Sequence, residues 1–185
     1  MLFYLSIPQI KQYNTHKQQK YSIFFQHYNV EVNMDSFDKH ILSILQKDST
    51  LSTSEIAEQV GLSTTPCWRR IQAMEKSGVI KSRVALANPK KLNVALTVFV
   101  MVKTNQHNPM WLEKFADLAM EFPEIVEFYR MSGEVDYLLK VVVPDMKAYD
   151  NFYKTLITKI NFSDISSSFA MEELKYTTAL PIDYI

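Results

Sequence analysis

The sequence predicts an α+β chain in two parts, an N-terminal helix-turn-helix of winged type followed by a ferredoxin-like βαββαβ unit. Three observations lead there. Between Met34 and Ile80 the apolar residues recur at helical spacing in three short segments, the last two separated only by Val60-Gly61-Leu62. From Ala95 onward, strand-like runs and amphipathic helical runs follow one another in the order β-α-β-β-α-β. Between the two parts lies VALANPKKLN, extended and turn-rich, the natural linker.

Residues 1–33 are rich in Tyr, Phe, Gln and Asn without a sustained period, and the pattern becomes regular only at Met34. Met34 is therefore the expected natural start, with residues 1–33 either an upstream-start artefact or a poorly ordered arm. DSFDKHILSILQKDST then places Phe37, Ile41, Ile44 and Leu45 on one helical face, with Asp35 or Ser36 as cap. LSTSEIAEQVGLS offers Ser52 and Glu55 at capping-box spacing and Gly61 as the stop. Ser63 is expected to cap a third helix, with Pro66 in its first turn, where a missing N–H costs little. Ile71 and Met74 face its core side, Gly78 ends it, and Trp68 is expected in the core or at an interface.

The second part changes period. ALTVFVMVKT (95–104) reads as a buried strand, and NPMWLEKFADLAMEF as an amphipathic helix capped by Asn108, with Pro109 at its first position and Pro123 beyond its end. EIVEFYRMSGEVDYLLKVVVPD reads as two strands turning at Ser132-Gly133-Glu134, MKAYDNFYKTLITKI as a helix and ISSSFAMEEL as a last strand. The expected organisation is thus a helix-turn-helix over 34–82, a linker over 83–94, a ferredoxin-like unit over 95–174 and an uncommitted tail over 175–185. A lone four-stranded sheet leaves one face open. Pairing two sheets across a two-fold axis is expected to cover the Val98, Val100, Val102 and Val141, Val143 stripes.

Bulk composition narrows the function classes. With 185 residues, 47% hydrophobic and 22% charged, the chain suits one medium or two small folded domains and not wholesale disorder. The single Cys67 excludes an intramolecular disulfide and a Cys-rich zinc site, and it fits a reducing compartment. A buried, unreactive thiol is its expected state. The histidines (His16, His27, His40, His107) have no i, i+4 partner, so no metal site is expected, nor any catalytic constellation or cofactor. No apolar run approaches the roughly 20 residues of a membrane span. MLFYLSIPQIKQYN carries no charge ahead of its short apolar patch and reads poorly as a signal peptide, so a cytoplasmic protein is expected. Net charge is zero but uneven: +2 over residues 1–33, +3 over 34–91 and −5 over 92–185. A basic head on an acidic body suits a polyanion partner at one end only.

Four stretches together carry a family likeness: the opening around Phe37, Asp38, His40, Ile41 and Leu42; GLSTTPCWRRI; the linker ALANPKKLN; and MSGEVDYLLKVVVPDMKAYDNFY. From Met34 to about residue 180 the chain resembles the Lrp/AsnC family of feast/famine regulators. Its ending, SDISSSFAMEELKYTTALPID, is similar to the branch with cysteine-responsive control of sulfur amino-acid detoxification. The resemblance implies double-stranded DNA as partner, a small amino acid as effector (cysteine first, then leucine or methionine), and dimers that assemble further, commonly to octamers.

A reading helix enters the major groove N-terminus first. The expected DNA contacts are therefore Ser63, Thr64, Thr65, Arg69 and Arg70, with Lys76 and Lys81 beyond them. Arg69 or Arg70 can fork onto a guanine. Gln72 and Ala73 stand where family members often carry further basic residues, which points to modest non-specific affinity. The competing reading is a capped surface helix with solvated arginines. For the effector, the resemblance implicates the turn Met131, Gly133, Glu134 and Asp136, with Gly133 allowing close backbone approach and Asp136 pairing an ammonium. Ser166, Ser167 and Ser168 are expected to offer hydroxyls to the effector. The competing reading there is a plain β-turn in which Asp136 bonds its own backbone. Two other functions remain open: an enzyme like the sirohaem decarboxylases, which resemble the same two-domain fold, and an amino-acid-binding module that has lost DNA.

Overall fold

A computed structural model describes residues 33–185, so the expected arm lies outside the described residues except for Asn33. The described chain divides into two compact units, one of residues 33–83 with 178–185 and one of residues 84–177.

In the first unit α1 spans Ser36–Lys47, α2 Thr53–Val60 and α3 Thr64–Lys76. Each start has a local cause. Asp35 caps α1 by accepting the Asp38 N–H, and the Asp38 carboxylate accepts the Asp35 N–H in return. Ser52 and Glu55 do the same for α2, which ends at Gly61 in the left-handed region at φ 72, where a side chain is strained. Ser63 occupies the cap position of α3 but its side chain makes no cap hydrogen bond. The core joins Ile41, Leu42, Ile44 and Leu45 of α1 to Ile56, Ala57 and Val60 of α2 and to Cys67, Ile71 and Met74 of α3. Phe37, expected in that core, is instead 40% exposed in the first turn of α1, with its ring under the Arg70 guanidinium at 5.5 Å, and Leu42 joins the buried set.

Patterning assigned the tail no role, yet residues 178–185 return to this unit. Ile182 packs on its core, Leu180 and the Gln46 side chain exchange two hydrogen bonds of 2.7 and 3.2 Å, and Lys39 Nζ donates to the Ile185 carbonyl.

The second unit contains β1 (Leu96–Lys103), α4 (Pro109–Glu121), β2 (Ile125–Arg130), β3 (Tyr137–Val143), α5 (Met146–Lys159) and β4 (Asp164–Phe169). Its antiparallel sheet runs β2-β3-β1-β4, with β1 central and paired to both β3 and β4. This is the ferredoxin-like order. Asn108 caps α4 by accepting the Trp111 N–H at 2.9 Å, and Asp145 caps α5 through the Ala148 N–H at 2.8 Å. The last strand stops at Phe169, short of the stretch expected to reach Leu174. Residues 81–95 form no strand; Asn88 opens a turn there by accepting the Lys90 N–H at 3.0 Å.

The sheet's covered face corrects one expectation. Val98, Val100, Val102, Leu139, Val141 and Val143 pack with Trp111, Phe115 and Leu118 of α4 and Tyr149, Phe152 and Leu156 of α5. The valine stripes are therefore already buried inside one chain and are unavailable for pairing two sheets. The alternation of β3 puts Leu138, Lys140 and Val142 on the opposite face, with Thr97, Phe99 and Met101 of β1 and Tyr129 of β2 beside them.

Candidate DNA interface and effector site

The two expected sites lie in different units, and each is built from local causes. On α3, the burial of Cys67, Ile71 and Met74 fixes which side looks outward. Ser63, Thr64, Thr65, Trp68, Arg69, Gln72, Ala73 and Lys76 are all exposed, as is Lys81 beyond the helix. The Ser63 hydroxyl, free of capping, and the first N–H groups of α3 stand together at its N-terminal end. Burial pushes the Cys67 thiol up, partly opposed by the nearby Arg70 charge, which fits the expected unreactive cysteine.

Arg70 does not join the outward row. Its guanidinium contacts Asp35 and Asp38, each at 2.8 Å, and lies over Phe37, so it ties α3 back to the start of α1. The expectation that it forks onto a guanine gives way to this internal pairing, and Arg69 is left as the outward arginine. Asp35 is held below the ordinary aspartate range by the Asp38 N–H first, against the upward push of burial, and then by Arg70. A carboxylate with a lowered folded-state pKa stabilises above its unfolded pKa, and that stability is lost as pH falls through the folded value. Arg70→Ala is therefore expected to melt a few degrees lower at pH 7. The gap to the parent protein should narrow once pH drops below the ordinary value of 3.8, as followed by circular dichroism against pH. A gap that stayed constant down to pH 2 would assign the loss to packing on Phe37 alone.

In the second unit, the turn joining β2 and β3 is held to β1. The Met131 N–H donates to the Asp136 carbonyl at 2.8 Å, and the Asp136 N–H to the Val102 carbonyl at 2.9 Å. One Asp136 carboxylate oxygen accepts the buried Thr104 N–H at 2.8 Å, and the other lies 3.9 Å from His107 Nδ1. Asp136 thus grips the neighbouring β1–α4 loop, a role beyond the self-bonded turn, and keeps one oxygen facing an exposed imidazole. Met131, Ser132, Gly133 and Glu134 are exposed, and Gly133 sits at φ 130, which L side chains rarely adopt. His107 and Thr104 were not foreseen as neighbours of this turn. They lie about thirty residues away in sequence, and only the antiparallel pairing of β1 with β3 brings them together.

The three serines divide between faces. Ser167 points inward and shares a hydrogen bond with the Tyr149 hydroxyl, so it serves the core and is withdrawn from the expected effector set. Ser166 and Ser168 are exposed on the open face, opposite Met101 and Phe99. They lie on the edge strand two positions from β3, roughly 10 Å across the sheet at ordinary strand spacing, so one chain does not bring them against the Asp136 turn. Among the described residues no cluster of His, Cys, Asp or Glu is arranged to hold a metal ion.

A helix-turn-helix with an outward row of hydroxyls and cations, followed by a ferredoxin-like unit with an anchored acidic turn, is the build of a DNA-binding transcriptional regulator. Residues 34–81 match the winged helix-turn-helix DNA-binding family and residues 97–180 the Lrp/AsnC ligand binding domain. The chain belongs to the Lrp/AsnC family. It is 48% identical over 151 residues to the DNA-binding transcriptional activator DecR of Escherichia coli (strain K12), covering 81% of this chain and 99% of that protein. The crystal structure of an AsnC family transcriptional regulator from Agrobacterium tumefaciens superposes with a TM-score of 0.80 at 61% identity, covering 82% of this chain and 99% of that one. A transcriptional regulator from Neisseria meningitidis, solved as a complex with L-Met, superposes with a TM-score of 0.78 at 34% identity over 82% and 98% of the two chains. These relatives are named as transcriptional regulators, in line with a DNA-binding regulator and not with the decarboxylase reading.

Proposed function

We propose that the protein is a cytoplasmic, sequence-specific regulator that reads promoter DNA with α3 and answers to a small amino acid bound at the Asp136 turn. The observation that carries the DNA reading is the outward row of α3, where Ser63, Thr64, Thr65, Arg69 and Lys76 are exposed while Arg70 is held inside. Cysteine is the first candidate effector, from the likeness of the ending to the cysteine-responsive branch. Methionine follows, supported by the L-Met complex of the Neisseria relative, and leucine after it. The ammonium of such a ligand pairs with the Asp136 oxygen that faces His107, and the exposed backbone around Gly133 allows close approach.

The active form is a dimer joined through the open sheet face, with dimers assembling further to an octamer. Two chains present two copies of α3 to successive major grooves, and effector binding shifts assembly or the spacing of those helices by a coupling of about 1–3 kcal/mol.

The test is selection of binding sites from a pool of random-sequence duplexes, followed by fluorescence anisotropy on the enriched duplex across a salt series, with and without cysteine, methionine or leucine. Affinity that falls steeply with salt and exceeds that for a scrambled duplex supports the reading. Arg69→Ala is expected to weaken binding about tenfold or more. A salt slope shallower by about one unit marks Arg69 as a phosphate contact, whereas relaxed preference at one position marks it as a base contact. Selection that enriches no sequence would overturn the DNA reading, and amino acids that change neither affinity nor assembly would overturn the effector reading.

A further inference from the structure

Trp68 is 52% exposed, although it sits one residue from fully buried Cys67. It makes none of the ring–ring contacts found among the described residues, which all lie in the other unit. Its place is the middle of the outward face of α3, one turn beyond Thr64 and Thr65 and one turn before Gln72. Two nearby polar side chains are already engaged. Arg70 is paired with Asp35 and Asp38, and Gln72 Nε2 donates to Glu75 at 2.8 Å. With Ala73 exposed as well, the centre of the reading helix presents an apolar surface flanked by hydroxyls before it and cations beside and beyond it.

We infer that Trp68 is a specificity-determining residue of the DNA interface, reading thymine through apolar contact between the indole and the thymine 5-methyl group in the major groove. In that groove the methyl is the one apolar feature separating T from C, and it is met by apolar side chains. Contact with DNA also removes from water an indole face that the small core leaves outside. Arg69, next in sequence, positions the helix on the adjoining phosphate or guanine. The inference rests on the proposed DNA reading and deepens it by naming the base class that the centre of α3 selects.

The experiment uses the full chain and the duplex obtained by random-sequence selection, with each thymine replaced in turn by deoxyuridine, which deletes the methyl and nothing else. The parent protein is expected to lose about three- to fivefold in affinity at one or two thymines per half-site, the value of one buried methyl. Trp68→Ala is expected to bind the parent duplex roughly tenfold more weakly and to be indifferent to deoxyuridine at those positions. Trp68→Phe should keep most of both the affinity and the thymine preference. The chain's other tryptophan, Trp111, is buried, so quenching by acrylamide reports chiefly on Trp68 and should fall when DNA binds. Equal deoxyuridine losses in the parent protein and Trp68→Ala would overturn the inference, as would unchanged affinity of the alanine variant. Loss of assembly in Trp68→Ala without loss of thymine preference would also overturn it, giving Trp68 to a protein interface. If selection enriches no duplex at all, it is the DNA reading that fails. An enriched duplex that depends on Arg69 and ignores Trp68 leaves that reading standing and removes this one.

Discussion

Leu138→Asp is expected to leave each chain folded, to convert the protein to a monomer, and to lower its DNA affinity by about a hundredfold or more. The reason lies in the two faces of the sheet. One is filled by α4 and α5 against the valine stripes. On the other, Leu138 lies directly between Met101 of β1 and Tyr129 of β2, with Phe99 and Val142 nearby. In a single chain Leu138 is half-buried, so a short carboxylate there stays hydrated and the fold tolerates it. In a pair of sheets packed face to face it becomes a buried, unpartnered charge, which costs several kcal/mol. The Lys140 charge on the same face is already balanced by Glu127 at 2.9 Å, an attachment that raises the lysine and lowers the glutamate relative to their ordinary values, so a further carboxylate leaves that patch with a net negative charge. Loss of the proposed dimer is expected to separate its two copies of α3 and remove the advantage of binding two half-sites at once. Sedimentation velocity read beside anisotropy on the selected duplex checks both parts. Dimers that persisted in Leu138→Asp would move the interface off this face.

Legibility followed the range of the interaction. The Ser52–Glu55 capping box, the Gly61 stop and the Asn108-Pro109 start were readable because each depends on residues within four positions of one another, whereas the first helix showed only Asp35 or Ser36 as a cap and not the reciprocal bond from Asp38. The βαββαβ order was readable because its period changes are coarse. Faces were less so. Alternation in ALTVFVMVKT shows that Val98, Val100 and Val102 share a side, but it does not show whether helices of the same chain or a second sheet will cover them. The same limit governs Ser167, which the strand period turns towards Tyr149 while its neighbours face out. In α1, Phe37 fits the apolar stripe by spacing, but it stands in the first turn, where its ring meets Arg70 of another helix, a contact that helical period alone does not show.

Arg70 shows why side-chain roles were harder to read than elements. Its neighbour Arg69 has the same chemistry and the same local context, and 100° of helical rotation sends one towards Asp35 and Asp38 and the other to the outward face. The acids that claim it lie more than thirty residues earlier, inside a capping motif whose local job was already complete. The tail was illegible for a related reason. Residues 178–185 have no period of their own and take their place from Gln46, Lys39 and the core around Ile182. Among the described residues, the chain leaves the helix-turn-helix through the linker and residues 178–185 return to that unit.

Asp136→Asn is expected to leave effector-free DNA binding intact while moving the amino-acid response to about 10- to 100-fold higher concentration. The asparagine carbonyl oxygen can still accept the Thr104 N–H, which now goes to one Asp136 oxygen at 2.8 Å, so the grip on the β1–α4 loop survives. What disappears is the negative charge on the oxygen facing His107, the group assigned to the effector's ammonium. A charge-assisted hydrogen bond of that kind contributes about 1.5–3 kcal/mol, which is the source of the expected shift. Asp136→Ala provides the contrast: it removes the loop's anchor as well, leaves the buried Thr104 N–H without its acceptor, and should lower the melting temperature where asparagine does not. Calorimetric titration with cysteine kept reduced, and then with methionine and leucine, measures the effector arm, while anisotropy on the selected duplex measures the DNA arm. Unchanged effector affinity in Asp136→Asn would reduce Asp136 to a loop anchor and move the ammonium site elsewhere. A response moved to higher concentration in both variants, with stability lost only in the alanine, is the pattern expected of a residue that holds the loop with one oxygen and the ligand with the other.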